Sequence, residues 1–70
     1  MITYVLSERL TSWQVQRYSD SITVTASGIP NEEDALEIVI REAKKDAPSQ
    51  IMRIPLSGIS EIIATFELPE

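Results

Sequence analysis

Residues 31–47 read NEEDALEIVIREAKKDA, and they form the one helix this chain can build. Pro30 precedes the run, and Asn31 is placed to cap it, its side-chain oxygen accepting from a free amide of the first turn. Glu32, Glu33 and Asp34 stand where the helix dipole favours negative charge, while Arg41, Lys44 and Lys45 stand toward its negative end. Pro48 stops the run. At about 100° per residue, Leu36, Val39, Ile40, Ala43 and Ala47 share one face, with Ala35 on its margin. That face requires a core. Ile38 points nearly opposite, among Asp34, Arg41, Glu42 and Lys45. It is read as a lone exposed apolar residue or as a partner contact.

The rest of the chain alternates as strands do. Residues 2–6 place Ile2, Tyr4 and Leu6 on one face, and residues 13–18 oppose Trp13 and Val15 to Gln14 and Gln16. Residues 22–26 put Ile22, Val24 and Ala26 together, against Thr23 and Thr25. After the helix, residues 51–56 group Met52, Ile54 and Leu56, and residues 61–68 group Ile62, Ala64, Phe66 and Leu68, with Pro69 as the stop. Ser19-Asp20-Ser21 and Ser57-Gly58 carry turn chemistry, and Ser27-Gly28-Ile29-Pro30 breaks the third strand before the helix. The pattern is β-β-β-α-β-β.

One apolar face per strand and one helix to cover it define an α+β domain of two layers, a single helix on a mostly antiparallel sheet. The opposite face is Thr-rich and mostly polar: Thr3, Gln14, Gln16, Thr23, Thr25, Arg53, Thr65 and Glu67, with Val5 and Ile63 as apolar exceptions. Pro55 sets the expected strand order, because a proline inside a sheet belongs on an edge or at a bulge. With the fourth strand as an edge the order is 3-2-1-5-4 and every pair is antiparallel. The alternative sets the fourth strand beside the first, in parallel. In the preferred order the other edge is the strand 21–27, from Ser21 to Ser27, regular and uncharged. Such an edge invites pairing with a second copy of the chain.

The 70 residues are read as one small domain, 1–70, with no linker or repeat. A chain this short buries roughly 60% of its unfolded surface, so its stability is marginal and association matters. It has no cysteine and no histidine, hence no disulfide framework and no thiolate or imidazole metal site. The first residues lack the basic-then-apolar pattern of a signal peptide, and no apolar run approaches the length of a membrane span. A cytoplasmic location is the expectation. The net charge is −5, without the basic stripe of a nucleic-acid binder.

Chemistry is sparse. Nucleophilic catalysis needs an activated Ser, Cys or Lys beside a base, and only unsupported Ser–Lys or Ser–carboxylate pairings remain. Glu8, Glu61 and Glu67 are candidate paired acids whose plain reading is solvated charge. Glu32, Glu33 and Asp34 lack calcium-loop spacing, and Ser27-Gly28 before an acidic first turn is no phosphate loop. Trp13 shares a face with Val15 and reads as core. Arg17 falls on the same face at the sheet margin, its head in water. Tyr18 turns to the wet face, where a binding surface places it. No catalytic, cofactor or metal residue is assigned.

Trp13-Gln14-Val15-Gln16-Arg17, followed by a helix opening near Glu33-Asp34-Ala35, resembles a group of short uncharacterised bacterial and phage proteins, a domain of unknown function. In that group a W-x-V-x-R-type strand precedes a Thr/Ser-rich strand, a helix with an E-A step and a closing hairpin. The resemblance implies the fold and no activity. Tyr4-Val5-Leu6, Thr23-Val24-Thr25-Ala26-Ser27 and Ile51-Met52-Arg53-Ile54 also look like the layout of some small phage anti-CRISPR proteins. That likeness implies action by binding and occluding a host complex.

The reading is therefore a non-enzymatic protein-binding module, of the kind a phage or mobile element encodes to inhibit a host complex. A homo-oligomeric scaffolding subunit is the first alternative, and binding of single-stranded nucleic acid on the open sheet comes after it. The expected contact residues are Ile38, Tyr18, Thr23, Thr25, Val5 and Ile63, with a homodimer through the strand 21–27.

Overall fold

A computed structural model describes residues 1–68. The role expected of Pro69 lies outside them. The elements run β1 (Ile2–Glu8), β2 (Trp13–Tyr18), β3 (Ile22–Ile29), α1 (Glu32–Lys45), β4 (Ser49–Ile54) and β5 (Glu61–Phe66). This is an α+β fold with one helix packed on a five-stranded sheet. Asn31 caps α1 as its position suggested, its side-chain oxygen accepting from the Asp34 amide at 2.8 Å.

The strand order is β3-β2-β1-β4-β5, not 3-2-1-5-4. β1 and β4 run parallel, and the other three pairs are antiparallel. The 14 residues of α1 rise about 21 Å at about 1.5 Å each and return the chain to the end of the sheet where β1 starts, which fixes the direction of β4 in either order. Its place beside β1 goes with burial: Ser49 and Ile51, opposite Ile2 and Tyr4, are fully buried there. Pro55 gives no argument against this, because β4 ends at Ile54 and the proline stands just outside the ladder. The edges are thus β3 and β5.

Pairing also settles which side chains meet the helix. Tyr4 lies opposite Ile51, and Leu6 opposite Arg53. The helix-facing residues of β4 are therefore Ser49, Ile51 and Arg53. Met52 and Ile54, expected inside, lie on the far side of the sheet, and Leu56 is exposed in the following loop. Arg53, expected on the wet face, points under the helix. In β3 a register shift lies between the partners of Val15 and Gln16. Ala26 opposes Val15 on the helix side, but Val24 opposes Gln16 and Ile22 opposes Tyr18. Ile22 and Val24 are therefore outward. Thr23, opposite Arg17, is not on the open face where it was expected. A second shift spans Ser27 and Gly28, and Gly28 takes φ +67 there, a left-handed conformation natural to glycine in a bulge. The strand thus continues to Ile29 rather than breaking at Ser27. A third shift, in the β4–β5 pair, turns Ile62 outward opposite Met52 and leaves Ile63 as the extra residue.

The core is Tyr4, Leu6, Trp13, Val15, Ile29 and Ile51 on the sheet, with Ala35, Val39 and Ala43 on the helix. α1 is rotated by roughly half of one residue's angular step from the face expected. Val39 is central, and Leu36 and Ile40 form one margin. Ile38 forms the other, half-buried against the core rather than opposite it. The small Ala35 and Ala43 let the helix approach β1 closely. Phe66 is half-buried on the helix side, with the Lys44 ammonium 6.0 Å from its ring centre. Ser49 is fully buried, and its hydroxyl donates to the Ala43 carbonyl, which also accepts from the Asp46 amide at the helix end.

Candidate protein-docking face

The charges of the sheet are gathered on the helix side. α1 turns two acids toward the sheet, Glu32 in its first turn and Asp46 at its C-cap. Each meets an arginine. Arg53 donates to Glu32 at 2.6 Å, and its guanidinium lies 5.3 Å from the Trp13 ring centre. The Glu32 hydrogen bond raises the Arg53 pKa, with smaller help from the nearby Glu8 and Glu61. At the other end Arg17 donates to Asp46 at 2.8 Å, and the Tyr4 hydroxyl donates to the same carboxylate oxygen. The Arg17 head, expected in water, is therefore paired. Hydrogen bonds from Tyr4 and then Arg17 hold Asp46 below the usual carboxylate range. Burial first, and the Asp46 carboxylate second, push the Tyr4 phenol up to about 12.

The opposite face is different. One row, Val24–Gln16–Val5–Met52–Ile62, crosses all five strands. A second, Ile22–Tyr18–Thr3–Gln50–Thr65, runs beside it, and a third joins Gln14, Ser7 and Ile54. Among the described residues, none in these three rows carries a charge. Within the rows Gln50 donates to Thr3 at 3.0 Å, while Gln14, at the end of the third row, accepts from the Arg9 guanidinium of the β1–β2 loop. Val5, central, is only 5% exposed. It forms the floor of a shallow depression of about 350 Å³ lined also by Thr3, Tyr18, Met52 and Ile54. Around it stand Ile22, Val24, Ile62 and Ile63, exposed by 63%, 51%, 47% and 38%.

Of the residues singled out in the sequence, Val5 and Tyr18 come together in the depression, and Ile63 sits in the β5 bulge at its rim. Thr25 is exposed at the β3 bulge, and Thr23 lies toward the helix side. Ile38 is across the molecule, beside a hollow of about 430 Å³ with Pro30, Asp34 and Glu37. Sequence reasoning missed Ile22, Val24, Met52, Ile54 and Ile62. The bulges at Thr25 and Ile63 and the β4 parity put them outward, and no glycine or proline announces either bulge in the sequence.

Of the three acids weighed as a catalytic group, Glu61 lies opposite Arg53 in the β4–β5 pair. Glu8 accepts from the Leu56 amide at 3.1 Å, tying the β4–β5 loop to β1. Among the described residues no group of three or more acidic, histidine or cysteine side chains could hold a metal ion. No helix there is long and apolar enough to cross a membrane. Comparison with known protein families, with curated proteins and with solved structures finds no match for the chain.

Proposed function

We propose that this chain is a non-enzymatic protein-binding module that docks its partner on the open face of the sheet. The row Val24–Gln16–Val5–Met52–Ile62 carries the reading. In a chain with 24% charged residues, an uncharged, apolar-centred strip across every strand is costly to leave in water. Interface centres are depleted in charge in the same way. An inhibitor that occludes another complex, as the resemblance in layout to some small phage anti-CRISPR proteins implies, would work through such a face. Nucleic acid fits it poorly, since Arg17 and Arg53 are turned to the helix and engaged there.

The test compares three immobilised chains against proteins of the source cell: the parent, Ile62→Lys on the open face, and Arg41→Glu on the exposed side of α1. A stoichiometric protein held by the parent and Arg41→Glu chains but lost by Ile62→Lys supports the reading. A protein held equally by all three, or retention of nucleic acid that falls with salt, overturns it.

A further inference from the structure

We infer that the occupant of the open face is a second copy of the chain, docked sheet to sheet about a two-fold axis. The inference rests on reading that face as a docking surface. It differs from pairing along the β3 edge, where two register shifts disrupt the ladder a new strand would have to extend.

Three observations favour a copy over a foreign partner. The first is charge. Each copy carries −5, so two copies repel wherever their acidic surfaces meet. The three rows of the open face carry no carboxylate, so the acids that give the chain its charge do not meet there; Arg9 lies against the end of the third row, on Gln14. A basic partner, the usual complement of an acidic protein, would find no carboxylate in those rows.

The second is the placement of the exposed apolar residues. Ile22 and Val24 on β3 and Ile62 on β5 stand two strands to either side of β1. An isologous interface sets the same patch on both copies. With the two-fold axis along β1, the β5 of one copy lies across the β3 of the other, and Ile62 of each meets Ile22 and Val24 of its neighbour.

The third is area. Five strands about 4.8 Å apart and about 20 Å long present roughly 500 Å². Two such faces bury roughly 1,000 Å², the lower bound for a specific interface. The area suits a reversible dimer built as an aligned sandwich.

Sedimentation of the full chain over a dilution series tests this. The parent should sediment at twice its 7.9 kDa at high concentration and dissociate on dilution. Ile62→Lys and Ile22→Glu should each lose the dimer while melting as the parent does at dilutions where the parent is monomeric. Mixing these two variants should restore a dimer, because the lysine of one chain then faces the glutamate of the other. If Ile62→Lys does not fold, Thr65→Lys on β5 serves in its place, since it too lies across from Ile22 of the other copy. A monomeric parent, an Ile62→Lys chain that stays dimeric, or a mixture that stays monomeric overturns the second copy. A monomeric parent that still loses a captured protein on Ile62→Lys overturns the copy alone and leaves the docking face standing.

Discussion

Arg17 on β2 donates to Asp46 at the end of α1 across 2.8 Å, joining residues 29 positions apart in the chain. Tyr4 donates to the same oxygen. The depressed Asp46 pKa means that this carboxylate stabilises the fold above the pKa it has when unfolded. That stability is lost as pH falls toward the lower folded value. Asp46→Asn should therefore be less stable than the parent at neutral pH, and the two should converge in acid. Melting followed from pH 7 downward checks this, and parallel curves would refute it.

Tyr4 acts at the other end of the scale. Its pKa moves from 10.0 unfolded to about 12 folded, so its contribution is complete below pH 10 and disappears as pH rises through 12. Tyr4→Phe should flatten that alkaline loss. Melts of both chains between these limits measure it, and an unchanged alkaline slope would show that Tyr4 is not its source.

Ile51 and Ile54 test which side of β4 meets the helix. Ile51 is fully buried, and Ile51→Ala should cost about 2–5 kcal/mol. Ile54→Ala, on the open face, should cost well under half as much. Phe66→Ala, at a half-buried site, should cost roughly 1–2 kcal/mol. Urea midpoints rank the three, and Ile54 above Ile51 would reverse the assignment.

Ile38 packs on the core margin, so Ile38→Glu should lower stability by roughly 1–2 kcal/mol and leave self-association untouched. Thermal melting and sedimentation of the same sample separate the two effects. A dimer lost at unchanged melting temperature would return Ile38 to a partner surface.

Asn31→Ala removes the cap on the Asp34 amide and should cost about 1 kcal/mol, with Asn31→Asp nearly neutral. Chemical denaturation of the three chains reads the difference directly.

The elements themselves were legible because alternation and the run NEEDALEIVIREAKKDA leave little choice of secondary structure. Trp13, Val15, Val39 and Ala43 were legible as core for the same reason. The face of β4 was not. Ile51 and Met52 are adjacent and both apolar, so alternation cannot choose between them, and the deciding residues are atypical. Ser49 is a buried hydroxyl satisfied by a helix carbonyl, and Arg53 is a charge made tolerable beneath the helix by Glu32. The bulges that turn Ile22, Val24 and Ile62 outward were equally hidden, since Thr25 and Ile63 are ordinary strand residues. The open face therefore looked more polar in the sequence than it is.

The central position of β1 bears on how the chain is made. β1 precedes β2 and β3 and pairs with β2 at once, but its other neighbour, β4, follows only after the helix. During synthesis a three-stranded meander thus exists before its middle is complete, with the backbone groups on one side of β1 unpaired. Until β4 arrives, the strand that ends at the centre of the sheet is a border open to any extended segment nearby. A nascent chain halted before Ser49 would present that border and should be far more prone to aggregate than the finished one.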